Sequence, residues 1–238
     1  MQVYDDLEFF RAYSQMDRSR NGLPSAGEWH QMKKLFPDVK GLTVLDLGCG
    51  YGWHCRYCAE QGAESVLGID ASKAMIAEAQ TRNPAKNVTY TVCALEDYDY
   101  STESFDFVFS NLVLHYVEDL TAVYRKVHQA LKPGGVFLFN IEHPTFTACP
   151  GQDWVYQDGK PDHWPVDDYF FPGKRDTFFL GCHVMKYHHT LTQILGEMLE
   201  CGFTLEAVEE AMPPEAMIPV MPDEMRRPMM LLVKGRKR

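Results

Sequence analysis

An apolar run followed by three alternating glycines constrains the fold more than any other part of the sequence. Residues 44–47 have the character of a short buried strand that contains one carboxylate, Asp46, and Gly48, Gly50 and Gly52 follow at alternate positions. Residues without a side chain permit a sharp turn and let a ligand lie against the backbone. A strand, a glycine turn and a helix form the nucleotide-binding corner of a doubly wound sheet.

The residues around the glycines decide which nucleotide fits. The dinucleotide fingerprint requires Gly or Ala three positions after its second glycine, where this chain has the bulky Trp53. The sequence also lacks a Gly-Lys-Ser/Thr triplet, which excludes a P-loop. Asp46 would repel a pyrophosphate, but it would suit the amino group of S-adenosylmethionine, which carries no phosphate.

The glycine segment resembles the first motif of class I S-adenosylmethionine-dependent methyltransferases. That motif is an apolar strand followed by Asp/Glu-x-Gly-x-Gly-x-Gly, and all four named positions are met. Two later segments are similar to the same family: Phe-Asp-x-Val-x-Ser-x-x-x-Leu-His at residues 105–115, and the turn Leu-Lys-Pro-Gly-Gly at residues 131–135. The resemblance covers residues 40–142 well and the remainder weakly.

The resemblance implies an α/β fold in one domain. We expect a doubly wound, seven-stranded, mostly parallel sheet of the Rossmann-like methyltransferase type, with a β-rich cap inserted after strand five. Within 1–238, residues 1–40 would form N-terminal lid helices and residues 41–142 the cofactor-binding core. Residues 143–190 are dense in aromatic side chains and too long for a plain connection, so we interpret them as a substrate cap. Residues 191–238 would supply a C-terminal helix and the last two strands.

The family cofactor would be S-adenosylmethionine, which becomes S-adenosylhomocysteine after transfer. Asp70 lies at the end of the second predicted strand, where a carboxylate can accept hydrogen bonds from both ribose hydroxyls. The glycine turn would hold the methionine part, and Leu95 with Glu96 the adenine. The candidate cofactor contacts are Tyr13, Met16, Arg18, Leu23, Asp46, Gly48, Cys49, Gly50, Asp70, Ala71, Ser72, Met75, Leu95, Glu96, Ser110, Asn111 and His115.

Several of these residues have a structural alternative. Asp70 could cap the next helix instead, although Ser72 could do that as well. Met75 could face the core. His115 could accept a proton near the substrate, or it could be a structural ring hydrogen-bonded under the cofactor. The N-terminal helices could cover the ligand, or they could simply cover one edge of the sheet.

The function that the resemblance implies is methyl transfer to an N, O, S or C atom of a small-molecule acceptor. A nearby base helps when the acceptor is an amine cation, a hydroxyl or a thiol. His143 and His188 lie where the chain returns to the expected meeting point of cofactor and acceptor, so we predict them as catalytic. Two alternatives remain: a nicotinamide-dependent oxidoreductase, which Trp53 and Asp46 disfavour, and an S-adenosylmethionine-binding protein without catalysis.

Composition limits the partners. The 238-residue chain has a formal net charge of −10, which disfavours nucleic acid because phosphate binding depends on basic surface. No apolar run approaches the roughly 20 residues that a membrane span needs. Seven scattered cysteines favour reduced thiols and a cytoplasmic location. We therefore expect a monomer or homodimer with a small-molecule acceptor, and neither a nucleic-acid nor a membrane partner.

Two remaining patterns are interpreted as structural. Cys55 and Cys58 have the spacing of half a zinc site, but no second pair follows, so we predict core thiols and no metal. The basic run at residues 234–238 is predicted to be a solubilising tail.

Overall fold

The fold alternates strands with helices along most of the chain. The structure, a computed structural model, describes residues 3–238; residues 1 and 2 of the predicted lid segment lie outside this range. The α-helices are α1 (Leu7–Ser14), α2 (Asp17–Asn21), α3 (Trp29–Leu35), α4 (Trp53–Glu60), α5 (Lys73–Arg82), α6 (Leu120–Ala130), α7 (Pro144–Thr147) and α8 (Glu197–Glu200). The strands are β1 (Thr43–Leu47), β2 (Ser65–Asp70), β3 (Val88–Val92), β4 (Phe105–Asn111), β5 (Leu131–Glu142), β6 (Val155–Gln157), β7 (Lys160–His163), β8 (Gly173–Phe179), β9 (Cys182–His188), β10 (Phe203–Ala211) and β11 (Met230–Lys237).

One seven-stranded sheet has the order β10-β11-β5-β4-β1-β2-β3. The pairs β1–β2, β1–β4, β2–β3 and β4–β5 are parallel, whereas β11 is antiparallel to both β5 and β10. The predicted doubly wound, mostly parallel sheet is therefore confirmed. The direction of winding reverses between β1 and β4, and sheets of this kind bind ligands at that point, beyond the carboxyl ends of the strands.

Apolar side chains cover both faces of the sheet. In β5, Phe137 and Phe139 belong to one buried cluster, while Val136 and Leu138 belong to the other. Successive side chains of a strand point to opposite faces, so a central strand of a covered sheet is apolar at nearly every position. Tyr124 of α6 stacks on Phe139, with their ring centroids 5.9 Å apart. This packing holds the strand ends in fixed positions.

The carboxyl ends of the central strands meet at one edge of the sheet. Leu47, the last residue of β1, lies beside Ile69 of β2 and Ser110 of β4. Asn111, at the end of β4, lies beside Asn140 of β5. The residues that follow these strands are therefore brought together although they are far apart in sequence.

The predicted β-rich insertion after β5 consists of α7 and two antiparallel hairpins, β6–β7 and β8–β9. Phe178, Phe179 and Tyr187 of the second hairpin line the main cavity at the sheet edge. Trp154 and Trp164, which flank the first hairpin, line a separate cavity of about 300 Å³. The aromatic residues of the insertion thus line two separate cavities, and of the two hairpins only β8–β9 borders the main cavity.

The prediction of a solubilising tail at residues 234–238 is wrong. Residues 234–237 belong to β11, which is paired on both sides by β5 and β10. Arg236 donates to the carboxylate of Glu206 and to the carbonyl oxygen of Gly134. The basic side chains therefore extend from a central strand of the sheet. Within residues 3–238, no helix is both long enough and apolar enough to cross a membrane.

Candidate active site

The glycine turn after β1, residues 48–52, is closely packed at the sheet edge. Gly48, Gly50 and Gly52 have φ values of 74°, 52° and 76°, a region that favours glycine. A Cβ atom on Gly48 would lie 2.3 Å from a methyl group of Val113, and one on Gly52 would lie 2.3 Å from the hydroxyl of Tyr90. Side chains are therefore excluded at both positions by the packing of Val113 and Tyr90. Gly48 and Gly50 line the space above β1, whereas Gly52 does not.

Asp70 is fixed beside this turn. Its two carboxylate oxygens accept hydrogen bonds from the backbone amides of Gly50, at 2.9 Å, and Ser72, at 2.8 Å. Burial raises the pKa of Asp70, and the two amides act in the opposite direction. A carboxylate oxygen can accept more than one hydrogen bond, so each oxygen keeps the capacity to bind a ligand hydroxyl.

Asp46 lies beneath the turn and does not line the cavity. Its side chain is 2% exposed and accepts a hydrogen bond from the Cys55 thiol at 3.3 Å. Burial raises the pKa of Asp46 to about 7, with a further contribution from the negative charge of Asp70. Asp46 is absent from the cavity lining, and its predicted contact with the methionine part of the cofactor stays a prediction.

A cavity of about 740 Å³ opens above the turn. This volume is in the range of small-molecule sites, roughly 300–1,000 Å³. The predicted cofactor contacts that line it are Tyr13, Met16, Arg18, Leu23, Gly48, Cys49, Gly50, Asp70, Ala71, Met75, Leu95, Glu96, Asn111 and His115. The predictions therefore converge on one space, although their contacts with a cofactor remain predictions.

Ser72 and Ser110 lie behind the wall of the cavity. Ser72 caps α5 by accepting the amide of Met75 at 3.1 Å, and it donates to the carboxylate of Asp5 at 2.6 Å. Ser110 is fully buried and donates to the carbonyl oxygen of Leu47 at 3.0 Å, which joins β4 to β1. Both hydroxyls have structural partners, so the structure does not bring them to a ligand.

The two predicted catalytic histidines also lie outside the cavity lining. His143 precedes α7; its Nδ1 accepts the amide of Thr145 at 3.1 Å, and its Nε2 lies 3.2 Å from the carboxylate of Glu210. His188 is buried, with Nδ1 2.7 Å from the hydroxyl of Thr147 and Nε2 2.9 Å from the carbonyl of Tyr169. Both ring nitrogens of each histidine are already engaged in the fold, so we do not propose either residue as a base.

The N-terminal helices contribute a buried ion pair that the sequence did not reveal. Arg18, in α2, bonds to the carboxylate of Glu28, which is 2% exposed. The amide of Asn111 lies 3.3 Å from the same carboxylate and accepts from Asn140 at 2.8 Å. The chain of polar groups ties the lid segment to β4 and β5. Glu28 belongs to no recognisable motif, and only the fold shows that it lies here.

The opposite end of the cavity holds a second polar group that the sequence analysis missed. Glu142, the last residue of β5, accepts from Lys186 of β9 at 2.5 Å, and both side chains are buried. His115 lies nearby, with its Nε2 3.9 Å from Glu142. Gln152, from the loop after α7, contacts Lys186 at 3.4 Å. These four residues come from four separate segments, so no spacing in the sequence links them.

Comparisons with known proteins identify the family. The methyltransferase domain family matches residues 45–139. A presumed S-adenosylmethionine-dependent methyltransferase from Listeria monocytogenes has 46% identity and a TM-score of 0.85, over 90% of this chain and 99% of that one. The chain belongs to the S-adenosylmethionine-dependent methyltransferases.

Two further relatives agree with this assignment. An S-adenosylmethionine-dependent methyltransferase from Mesorhizobium loti has 42% identity and a TM-score of 0.84, over 91% of this methyltransferase and 100% of that chain. Phosphoethanolamine N-methyltransferase 2 of Caenorhabditis elegans has 35% identity over 112 residues, which are 45% of this chain but 26% of that protein. The methyltransferase is therefore an enzyme that uses S-adenosylmethionine. The match to the nematode protein covers only part of each chain.

The residues around the cavity of the methyltransferase suit this cofactor. Gly48 and Gly50 of the glycine turn line the cavity, and Asp70 keeps hydrogen-bonding capacity for hydroxyl groups. Among the described residues, the hydroxyl of Tyr51 and the indole N–H of Trp53 are buried at the cavity without a hydrogen-bond partner. Within residues 3–238, no cluster of His, Cys, Asp and Glu is suited to a metal ion.

Proposed function

We propose that this methyltransferase transfers the methyl group of S-adenosylmethionine to a small-molecule acceptor bound in the same cavity. One observation carries the proposal: the glycine turn and Asp70 line the same cavity as the polar group around Glu142 and Lys186. The first end suits an amino-acid nucleoside, whereas the second lies under hairpin β8–β9. A two-substrate reaction requires such adjacent binding positions, because the reacting atoms must approach closely in a fixed orientation.

At the cofactor end of the cavity, residues at or just after the strand ends would contact S-adenosylmethionine. Asp70 would accept hydrogen bonds from the ribose hydroxyls, and the backbone of Gly48–Gly50 would face the methionine part. Leu95 and Glu96 would lie along the adenine; the carbonyl of Leu95 is held by the hydroxyl of Tyr100 at 2.9 Å. Tyr13, Met16, Arg18 and Leu23 would close this end from the lid segment.

Aromatic side chains surround the middle of the cavity. The hydroxyls of Tyr4 and Tyr116 are 3.0 Å apart, and the ring of Tyr4 packs edge-on against Tyr13 at 5.3 Å. The bound cofactor supplies an electrophilic methyl group on a positively charged sulfur. Aromatic faces attract such charge and exclude water from it. These tyrosines would therefore stabilise the cationic ligand and hold the acceptor in line.

His115 is the side chain best placed to receive the acceptor's proton. It lines the cavity, and its Nε2 lies 3.9 Å from the carboxylate of Glu142, beyond hydrogen-bonding distance. Burial lowers the pKa of His115 to about 4, so the ring is unprotonated but only weakly basic at pH 7. It would take the proton as methyl transfer makes the acceptor strongly acidic. We propose His115 as the general base in place of His143 and His188; of the two interpretations of His115, the proposal adopts the functional one.

The alternatives are less well supported. A nicotinamide-dependent oxidoreductase lacks support from the matched family and from the two similar structures described above, both of which are named as S-adenosylmethionine-dependent methyltransferases. A binding protein without catalysis would not require a neutral histidine, His115, beside the polar group of Glu142 and Lys186 in the same cavity.

Titration calorimetry and methyl transfer test the proposal together. S-adenosylhomocysteine should bind with measurable heat, and NAD should give none. With tritiated-methyl S-adenosylmethionine, the enzyme should label a small-molecule fraction of a metabolite extract. Binding of S-adenosylhomocysteine without any labelled small molecule, or label found only in protein or nucleic acid, would overturn the proposed acceptor class.

A further inference from the structure

Arg18 of the lid segment keeps hydrogen-bond donors that the protein does not use. Its side chain lines the main cavity and bonds to the carboxylate of Glu28 through Nη2. A guanidinium carries five N–H donors in one plane. Among the described residues, Nε and Nη1 of Arg18 have no hydrogen-bond partner, and neither nitrogen is fully enclosed by protein. The free edge of the guanidinium can therefore reach a molecule in the cavity.

His54 adds a second polar group on the same side of the cavity. It lies in the first turn of α4, directly after the glycine turn, and it also lines the cavity. Its ring packs against Phe109 of β4 at 4.6 Å and against Trp29 of α3 at 5.5 Å. Neither ring nitrogen bonds to another described residue, and neither is fully enclosed. The aromatic contacts thus fix the ring, and the nitrogens stay free for a ligand.

The charges of these groups suit a carboxylate that belongs to a zwitterion. Burial lowers the pKa of His54 to about 3, and the positive charge of Arg18 acts in the same direction. The imidazole is therefore neutral at pH 7 and offers one N–H donor. The edge of a guanidinium matches the two oxygens of a carboxylate. Because Glu28 balances Arg18, a carboxylate that brings its own ammonium group leaves no net charge in the site.

The order of the strands places Arg18 and His54 on the methionine side of the cofactor. Asp70, proposed for the ribose, ends β2; the glycine turn follows β1; and β4 lies on the far side of β1 from β2. Both residues are tied to β4, His54 by its ring contact and Arg18 through Glu28, which also contacts Asn111. A cofactor with its ribose at Asp70 and its methionine part across the glycine turn would extend toward β4.

We propose that Arg18 and His54 form the subsite for the α-carboxylate of S-adenosylmethionine. The free edge of the guanidinium would donate to the carboxylate oxygens, and the imidazole N–H would add a further hydrogen bond. The carboxylate would thereby connect α2 of the lid segment to α4 of the core. The inference rests on the proposed function, because it takes the ribose to lie at Asp70, and it adds a role for His54.

Two ligands that differ only in the carboxylate test the subsite. S-adenosylhomocysteine has this group, and S-adenosyl-3-thiopropylamine is the same molecule without it. In titration calorimetry on the whole chain, S-adenosylhomocysteine should have a dissociation constant at least about tenfold lower than that of the amine. Equal constants would overturn the subsite and leave the proposed function standing. If neither ligand binds, the proposed function fails together with the subsite.

His54→Phe tests the newly assigned residue. Phenylalanine keeps the packing against the neighbouring aromatic rings and removes both ring nitrogens. Affinity for S-adenosylhomocysteine should fall at least about fivefold, while affinity for S-adenosyl-3-thiopropylamine should stay within about twofold. An equal loss for the two ligands would show that His54 acts through packing alone, and no loss for either would remove it from the subsite.

Arg18→Gln tests the guanidinium with the same pair of ligands. Glutamine can still donate to Glu28, so the buried carboxylate keeps a partner. Affinity for S-adenosylhomocysteine should fall at least about tenfold, and affinity for the amine should change little. The same affinity for S-adenosylhomocysteine as in the wild type would remove Arg18 from the subsite.

Arg20→Gln is the matched control. Arg20 lies on the same helix, α2, but it is exposed and does not line the cavity. Its replacement removes the same charge from α2 without removing a donor from the subsite, so both dissociation constants should stay unchanged. If Arg20→Gln weakens S-adenosylhomocysteine as much as Arg18→Gln does, the effect is one of overall charge and the subsite assignment of Arg18 is wrong.

Discussion

Gly50 donates its backbone N–H to Oδ2 of Asp70 at 2.9 Å, which joins the glycine turn after β1 to the acid at the end of β2. Ser72 holds the other oxygen in the same way, at 2.8 Å. The carboxylate is therefore fixed before any ligand binds, and its orientation depends on the turn. A carboxylate that is already oriented loses little entropy when a ligand binds, which would favour tight binding of the proposed ribose hydroxyls.

Asp70→Asn should weaken the affinity for S-adenosylhomocysteine by at least about tenfold, which corresponds to roughly 1.4 kcal/mol. The amide removes the charge, and its NH₂ group must face one of the two backbone N–H donors. Titration calorimetry measures the dissociation constant directly.

Asp106→Asn is the control for Asp70→Asn. Asp106 also accepts a backbone amide, that of Thr43 at 2.9 Å, but it lies at the start of β4 and does not line the cavity. Its replacement should leave the dissociation constant unchanged. An unchanged constant for Asp70→Asn would remove Asp70 from the ribose site.

Gly48→Ala should lower both the thermal stability and the affinity for S-adenosylhomocysteine. The new methyl group would meet Val113 at 2.3 Å, in addition to the strain of a φ of 74°. Gly134 has a similar φ of 76° with nothing within 4 Å, so Gly134→Ala isolates the backbone strain, about 1–2 kcal/mol. Thermal unfolding by circular dichroism should show the larger decrease in Tm for Gly48→Ala. Equal decreases in Tm would show that the contact with Val113 relaxes freely.

Asp46→Asn should stabilise the protein relative to the wild type at pH 8 more than at pH 5. The fold raises the pKa of Asp46 to about 7, mainly because burial disfavours the charged form. The folded state therefore holds a proton that the unfolded state has lost, and stability contributed by this group declines as pH rises from about 4 to 7. Asparagine has no such dependence. Parallel melting curves at the two pH values provide the measurement, and a pH-independent difference in Tm would contradict the raised pKa.

The core of the fold could be predicted because short sequence patterns indicate its strands, turns and helix ends. The three glycines demand a turn that only glycine can make, and the Leu-Lys-Pro-Gly-Gly segment ends α6 at Ala130. Strands β2, β4 and β5 are apolar runs that end at the sheet edge in Asp70, Asn111 and Glu142. These signals fix the order of the elements, and the position of Asp70 beside Gly50 follows from that order.

The acceptor end could not be predicted, because its residues meet only through tertiary structure. Glu142 ends a strand, His115 follows another, and Lys186 lies on a hairpin of the insertion. No residue spacing connects them. His143 and His188 were chosen because the chain returns to the sheet edge near them, but position along the chain does not fix the direction of a side chain. Hydrogen bonds to Thr145 and Thr147 turn both rings into the fold.

His115→Gln should reduce kcat at least about tenfold while the dissociation constant for S-adenosylhomocysteine changes by less than about threefold. Glutamine can still hydrogen-bond, but it cannot take a proton. His143→Gln is the matched comparison, since His143 lies outside the cavity lining, and it should retain turnover close to that of the wild type. If the two variants lose equal activity, or if His115→Gln retains full kcat, His115 is not the base.

The pH profile provides a separate readout for His115. Desolvation lowers its pKa to about 4; Glu142 acts in the opposite direction, while Lys186 and His189 lower the pKa further. The ring of Tyr116 packs against it at 4.4 Å and brings no charge at neutral pH. Because the base must be neutral, kcat/KM should stay constant as pH falls through 6.5 and decline only as it approaches the lowered pKa. This acid limb should disappear in His115→Gln. An acid limb centred near 6.5 would instead indicate an ordinary, solvent-exposed histidine as the base.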